Sequence, residues 1–157
     1  MIYLEASALW TMYYGEPGGD NVIWLLKNYE CYTVEWTVLE LCRAVSKRYN
    51  QGEITEEEAR GLEAFILADI EKMKREGRLK LVKITWPLIR KAYGLILPLN
   101  LYASDALHLA AAMHCGAKIM LVDDFHFTRL KDKIKEISII PITERREKIN
   151  ESIQALG

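Results

Sequence analysis

Residues 101–130 read LYASDALHLAAAMHCGAKIMLVDDFHFTRL, and the order of signals within them decides the fold. Ser104 is predicted as a helix N-cap, which puts Asp105 in the first turn, where a negative charge meets the positive end of the macrodipole. Leu107, Ala110, Ala111 and His114 recur at i, i+3, i+4 and i+7. Leu109 and Met113 widen that stripe, so most of the helix is expected to be buried. Gly116 suits the left-handed position that ends a helix. Residues 117–122, polar only at Lys118, have the pattern of a central strand covered on both faces. Asp123 and Asp124 follow directly. Open α/β sheets collect ligands at the carboxyl ends of their strands. Two carboxylates there, with Asp105 at a helix start one element earlier, predict an acidic site.

Outward from that stretch, short apolar runs alternate with helical patterns. Residues 1–4 read as a buried strand ending at Glu5, and Ser7 as the cap of a helix whose apolar side holds Leu9, Trp10 and Tyr13. GEPGG at 15–19 is a turn by composition. A short helix over 21–27 and a second strand over 31–34 follow. The helix predicted for 36–49 turns Val38, Leu41, Cys42 and Val45 inward, while Glu40, Arg43 and Lys47 share another face. Thr55 and Glu58 form a capping box, opening a helix to about residue 76 with Leu62, Phe65, Ile66, Ile70 and Met73 as its core face. Lys80 and Lys83 place the strand over 79–84 near a sheet edge. Pro87 opens another helix, and Pro98 is expected to break it. A short helix from 125 to 131, a last strand over 137–140 and a charged helix over 143–156 complete the chain. The last of these carries a thin apolar line of Ile149, Ile153 and Leu156. The alternation implies an α/β domain with a parallel sheet.

A chain of 157 residues, half of them apolar, can bury one core. The formal net charge of −1 announces neither nucleic-acid binding nor disorder, so local patches or metal ions must attract any polyanion. Cys31, Cys42 and Cys115 are odd in number and lack CxxC spacing, which fits reduced core residues better than disulfides or structural zinc. No signal peptide and no apolar run of membrane-spanning length is read, so the expected setting is the cytoplasm, away from a membrane.

The residues that stand out chemically are Glu5, Glu40, Asp105, Asp123 and Asp124. Carboxylates converging without lysines repel one another, and a divalent cation with hard oxygen ligands, Mg2+ or Mn2+, is the usual remedy. Such a metal site beside an open groove suits phosphodiester hydrolysis. Each residue also has a plain structural explanation. Asp105 serves equally as a helix-start acid, Asp123 and Asp124 as a cap, and Glu40 as a surface partner of Arg43. Glu5 is the least ordinary, because Glu is disfavoured at the end of so apolar a strand. His108 and His114 are expected to be packed or hydrogen-bonded on a buried helix rather than to bind metal.

The order of these motifs adds what spacing alone does not. MIYLEASAL with EPG shortly after it, then TVLELCRAV, then SDALHLAAAMHCGAKIMLVDDFHF and a short final strand, resembles the PIN-domain ribonucleases, most of all the toxins of VapBC toxin–antitoxin pairs. The resemblance covers residues 1 to about 140. It implies a three-layer α/β/α sandwich with a central, mainly parallel sheet over residues 1–142; residues 143–157 extend past the matched part, and their own apolar line predicts a C-terminal helix packed on that domain. It further implies metal-dependent endoribonuclease activity, an antitoxin partner and a homodimer. By position, Glu5, Glu40, Asp105 and Asp124 match the family's acids, Ser7 its supporting Ser or Thr, and Asp123 a variable position beside the metal. Arg43 and Lys47 are candidates for RNA phosphate contacts. One position departs: the family opens with Asp, and this chain has Glu5. The extra methylene shifts the carboxylate by about an ångström, a misplacement that can cost on the order of a hundredfold in rate. A degenerate domain kept as a protein- or RNA-binding module, and an RNA-processing nuclease without an antitoxin, remain open alternatives.

Overall fold

The computed structural model describes residues 1–156. Five strands, β1 (Ile2–Leu4), β2 (Cys31–Val34), β3 (Leu79–Val82), β4 (Ile119–Val122) and β5 (Ser138–Pro141), make one sheet in the order β3-β2-β1-β4-β5. Every pairing is parallel, with Leu4 opposite Leu121 and Val34 opposite Val82. The sheet is thus wholly parallel. Lys80 belongs to β3, which lies at the edge as the lysines imply.

Helices cover both faces. Ile2, Leu4, Leu79 and Leu121 point into a core shared with α1 (Ala6–Tyr14), α2 (Gly19–Asn28), α3 (Trp36–Asn50) and α4 (Glu56–Arg75). Tyr3, Val34, Met120 and Val122 point the other way, into a core shared with α5 (Trp86–Leu99), α6 (Ala103–His114) and α7 (Phe125–Thr128). This period-two alternation makes the central strands β1 and β4 apolar throughout, as a sheet covered on both faces requires. The last helix, α8 (Arg146–Gln154), buries Ile149 in the first core, with Ile153 packed at its margin. Residue 157, the end of the segment expected as a C-terminal helix, lies outside the described residues. Among the described residues, no single helix is long and apolar enough to cross a membrane.

The chain builds β1, β2 and β3 outward in one direction, then returns to lay β4 against the free side of β1. The topological switch point therefore falls between β1 and β4, and Glu5 and Asp123 follow their C-terminal ends directly.

Several local expectations are corrected. The N-cap of α6 is Tyr102, with no side-chain bond, so Ser104 sits inside the helix. The N-cap of α1 is Glu5, whose carboxylate accepts the Ser7 N–H. Pro98 lies inside α5, in its last turn. There it sacrifices one backbone bond, and the helix ends two residues later at Asn100 in the left-handed region. Phe65 is 59% exposed, because Leu62, Ile66, Ile70 and Met73 already fill the contact of α4 with its neighbours. His114 is exposed in the last turn of α6, beyond the part of the helix that the sheet covers. The final helix is shorter than the apolar line predicts and leaves Leu156 exposed.

Candidate functional site

Glu5, Glu40, Asp105 and Asp124 line one cleft of about 360 Å³. Four separate elements deliver them. Glu5 ends β1, Glu40 stands one turn into α3, Asp105 opens α6, and Asp124 follows β4 as the N-cap of α7. Ser7, Trp10, Glu16, Lys47, Arg48 and Ser104 complete the walls.

Three of the four acids are held in a repeated way, with one carboxylate oxygen fixed by a hydrogen bond and the other without one. Glu5 Oε2 accepts from the Ser7 backbone N–H at 2.7 Å and from the Ser7 hydroxyl. Ser7 Oγ in turn accepts from the Asp123 N–H at 2.9 Å, tying the end of β1 to the end of β4. Glu40 Oε2 accepts from His108 Nε2 at 2.5 Å. Asp124 Oδ1 accepts from the His126 N–H at 2.8 Å. The capping role and the place in the cleft thus coexist at Asp124. Among the described residues, Glu40 Oε1 and Asp124 Oδ2 have no hydrogen-bond partner, nor has either oxygen of Asp105.

His108 is fully buried at the back of this cluster. Its Nδ1 lies 2.9 Å from the Tyr3 hydroxyl, and its Nε2 faces Glu40 and, at 3.6 Å, Glu5 Oε1. It is hydrogen-bonded, as the sequence suggests, but inside the site. The only local signal for that is its place three residues after Asp105 on one helix face.

Crowding shows in the proton affinities. Burial raises the Glu5 carboxyl above its usual range against the opposing pull of His108 and Ser7, with Glu40 adding to the rise. Burial and then the charge of Asp124 raise Asp105. Burial alone would depress His108, but its bond to Glu40 and the charges of Glu5, Glu40 and Asp105 outweigh this and raise it. Both carboxylate shifts come first from burial, with a neighbouring carboxylate adding to each, so the cleft disfavours negative charge that no cation meets. A divalent cation fits that deficit. Glu5, Glu40 and His108 bring one atom each within 4.8 Å of one another, and with His108 Nε2 engaged by Glu40 the donors open to a cation are the carboxylate oxygens of Glu5, Glu40, Asp105 and Asp124. Hard oxygen donors of this kind favour Mg2+ or Mn2+.

The other expected residues divide. Ser7 and Lys47 line the cleft, whereas the exposed Arg43 and the side chain of Asp123 do not. Asp123 still feels the site, since burial and the charges of Glu16 and Asp124 raise it. Sequence reasoning missed Glu16 and Arg48. Arg48 bonds Glu16 at 2.7 Å and Glu53 at 3.0 Å and lies over the Tyr14 ring, so its charge is already engaged. Its position eight residues after Glu40 puts it on the same side of α3, a signal the sequence does carry.

The fold is similar to that of a chain in the crystal structure of VapBC2 from Rickettsia felis bound to a DNA fragment from their promoter. The two share 17% identity at a TM-score of 0.60, over 90% of this chain and 98% of that one. It is also similar to PAE2754 from Pyrobaculum aerophilum, at 18% identity and a TM-score of 0.62, over 98% and 96% of the two chains. No curated protein matches the sequence. The family model for the PIN domain matches residues 2–133, a span that contains β1 to α7 and all four cleft acids. This chain belongs to the PIN domain family.

Proposed function

We propose that this protein is a Mg2+- or Mn2+-dependent endoribonuclease acting as the toxin of a toxin–antitoxin pair. The observation that carries the reading is the convergence of Glu5, Glu40, Asp105 and Asp124 on one cleft beside the switch point of the sheet. These four would hold one or two ions, with Ser7 fixing Glu5 and with Asp123 beside them. When bound, the metal supplies a water of lowered pKa and positive charge against the phosphate oxygens. The chain's own part is to bring the unbonded carboxylate oxygens of these acids to one cleft and to offer Lys47, on the cleft wall, to an RNA phosphate. Arg43, exposed on the same helix, extends that backbone contact outside the cleft.

The likeness in fold to a VapBC2 chain supports a small antitoxin as partner. A homodimer is supported by the exposed apolar stripe Trp86, Ile89, Tyr93 and Leu97 along α5. We assign the nuclease unit to residues 1–142, treat 143–157 as a helical addition packed on it, and place the protein in the cytoplasm.

The test is cleavage of RNA with Mn2+ or Mg2+ by the parent, Asp105→Asn and Asp124→Asn. Each variant is expected to bind Mn2+ more weakly and to lose at least roughly a hundredfold in cleavage rate, with an unchanged circular dichroism spectrum. Two variants that cleave as the parent does would overturn the reading. A parent that binds Mn2+ without cleaving RNA would leave a binding module in place of an enzyme.

A further inference from the structure

We propose that His108, anchored by Tyr3, is the positioning residue for Glu40, and that the cleft's affinity for a divalent cation depends on this buried relay. The inference rests on the metal-dependent reading given above and deepens it.

Glu40 differs from the other cleft acids in how it reaches the site. Glu5 and Asp124 lie within two residues of a strand end, and each is fixed by a backbone N–H within two residues of itself. Asp105 has a short side chain close to the backbone of α6. Glu40 projects from α3 on a stem with three rotatable torsions, and its side chain is partly exposed. Nothing local holds it. Its one hydrogen-bond partner among the described residues is His108 Nε2, 68 positions away in sequence. Freed from that bond, the side chain has open cleft into which to turn.

The geometry suits a fixed donor. The His108 ring is fully buried, and its edge-on packing against Tyr3, at 5.9 Å and 80° between planes, limits its rotation. Tyr3 lies in β1, where it is fully buried as well. The Tyr3 hydroxyl can donate to a neutral His108 Nδ1 or accept from a protonated one. In both cases Nε2–H points at Glu40, so the relay does not depend on the charge of the ring. Only Glu40 Oε2 is taken, which leaves Oε1 for a metal. Ser7 treats Glu5 in the same manner, with Oε2 fixed. The relay therefore joins β1, α6 and α3, three of the four elements that supply ligands.

The test is Mn2+ affinity of the intact protein, measured by titration calorimetry, with the melting temperature of the metal-free form as a control. His108→Met fills the space without a donor, and about a tenfold loss of affinity is expected. His108→Gln restores an N–H near the Nε2 position and is expected to stay within about threefold of the parent. Tyr3→Phe keeps the ring and removes the outer anchor, and a loss of about twofold to fivefold is expected. The expected pattern is graded by donor geometry while the melting temperatures of the two His108 variants agree. An affinity unchanged or tighter in His108→Met, or equally poor in His108→Gln and His108→Met, overturns the positioning role. Should His108→Met fail to fold, Tyr3→Phe and His108→Gln decide. Parent-like affinity in Tyr3→Phe then overturns the relay. A parent that binds no Mn2+ overturns the metal-dependent reading itself, whereas a parent that binds Mn2+ as tightly as all three variants removes only His108 from it.

Discussion

At the scale of single residues, the acids of the cleft carry both the site and a cost in stability. Asp105, Asp123 and Asp124 stand out because they interrupt apolar patterns at element ends, and that is local information. The bond between His108 and Glu40 is not local. It exists only because β4 returns to pair with β1, which brings α6 on one face of the sheet and α3 on the other to the same edge. The same crowding that marks the site makes a stability prediction. Asp105 carries a carboxyl raised by burial and by Asp124, so its charge is destabilising without metal. Asp105→Asn should raise the melting temperature of the metal-free protein by about 2–4 °C, the equivalent of about 1 kcal/mol in a domain of this size. Mn2+ should then stabilise the parent and not the variant. Cys31 offers a check away from the site. Burial pushes its thiol up to about 12, so at pH 8 only about one native thiol in ten thousand is ionised. Folded protein should resist iodoacetamide at Cys31, and denatured protein should react at once. Because the folded thiol keeps its proton, this cysteine costs stability only as pH climbs above its ordinary value of 9.0. Rapid labelling of native Cys31 at pH 8 would contradict the burial.

Elements written in local chemistry are the ones the sequence states clearly. The capping box of α4 is present with both reciprocal bonds, Thr55 N to Glu58 Oε2 at 2.8 Å and Glu58 N to Thr55 Oγ1 at 3.2 Å. The edge lysine of β3 is equally readable. What escapes is depth. Phe65 continues the apolar stripe of α4, yet it meets only the edge of Tyr13 because the layer above it is absent. Helix α8 is the reverse case. Its sequence is mostly polar, but Ile149 is fully buried, Asn150 accepts from the Tyr29 hydroxyl at 3.0 Å, and Arg146 lies over the Trp24 ring. A helix this short is marginal in water without such contacts. Burial of Ile149 is worth roughly 1.5–3 kcal/mol. A chain ending at Thr143 should therefore melt several degrees lower at every protein concentration. A loss confined to concentrations where the parent self-associates would assign the helix to an interface, and no loss at all would make it dispensable.

On the scale of the whole molecule, one surface stands apart. Trp86, Ile89, Tyr93 and Leu97 follow one another along the outer side of α5 and are between 41% and 89% exposed. Tyr102, just past the helix, and Phe125 add two more exposed rings. A fully covered aromatic ring buries about 150–250 Å², so this surface approaches the roughly 800 Å² per partner of an ordinary stable interface. On the proposed homodimer, light scattering should give twice the chain mass, and Tyr93→Glu with Leu97→Glu should give the chain mass alone with the fold intact. A parent that stays monomeric at high concentration, or a double variant that stays dimeric, would exclude this face.

The returning path of the chain has a consequence in time. Leu4 pairs with Leu121, so the centre of the sheet cannot close until the fourth strand has been made. Synthesis runs at roughly 5–20 residues per second, with domains folding as units once complete. Glu5 is made 119 residues before Asp124 and thus waits several seconds on the ribosome for it. A nascent chain carries the acids of the cleft without the cleft. If the proposed activity holds, the cell meets no active nuclease during translation, and an antitoxin has that interval in which to be waiting.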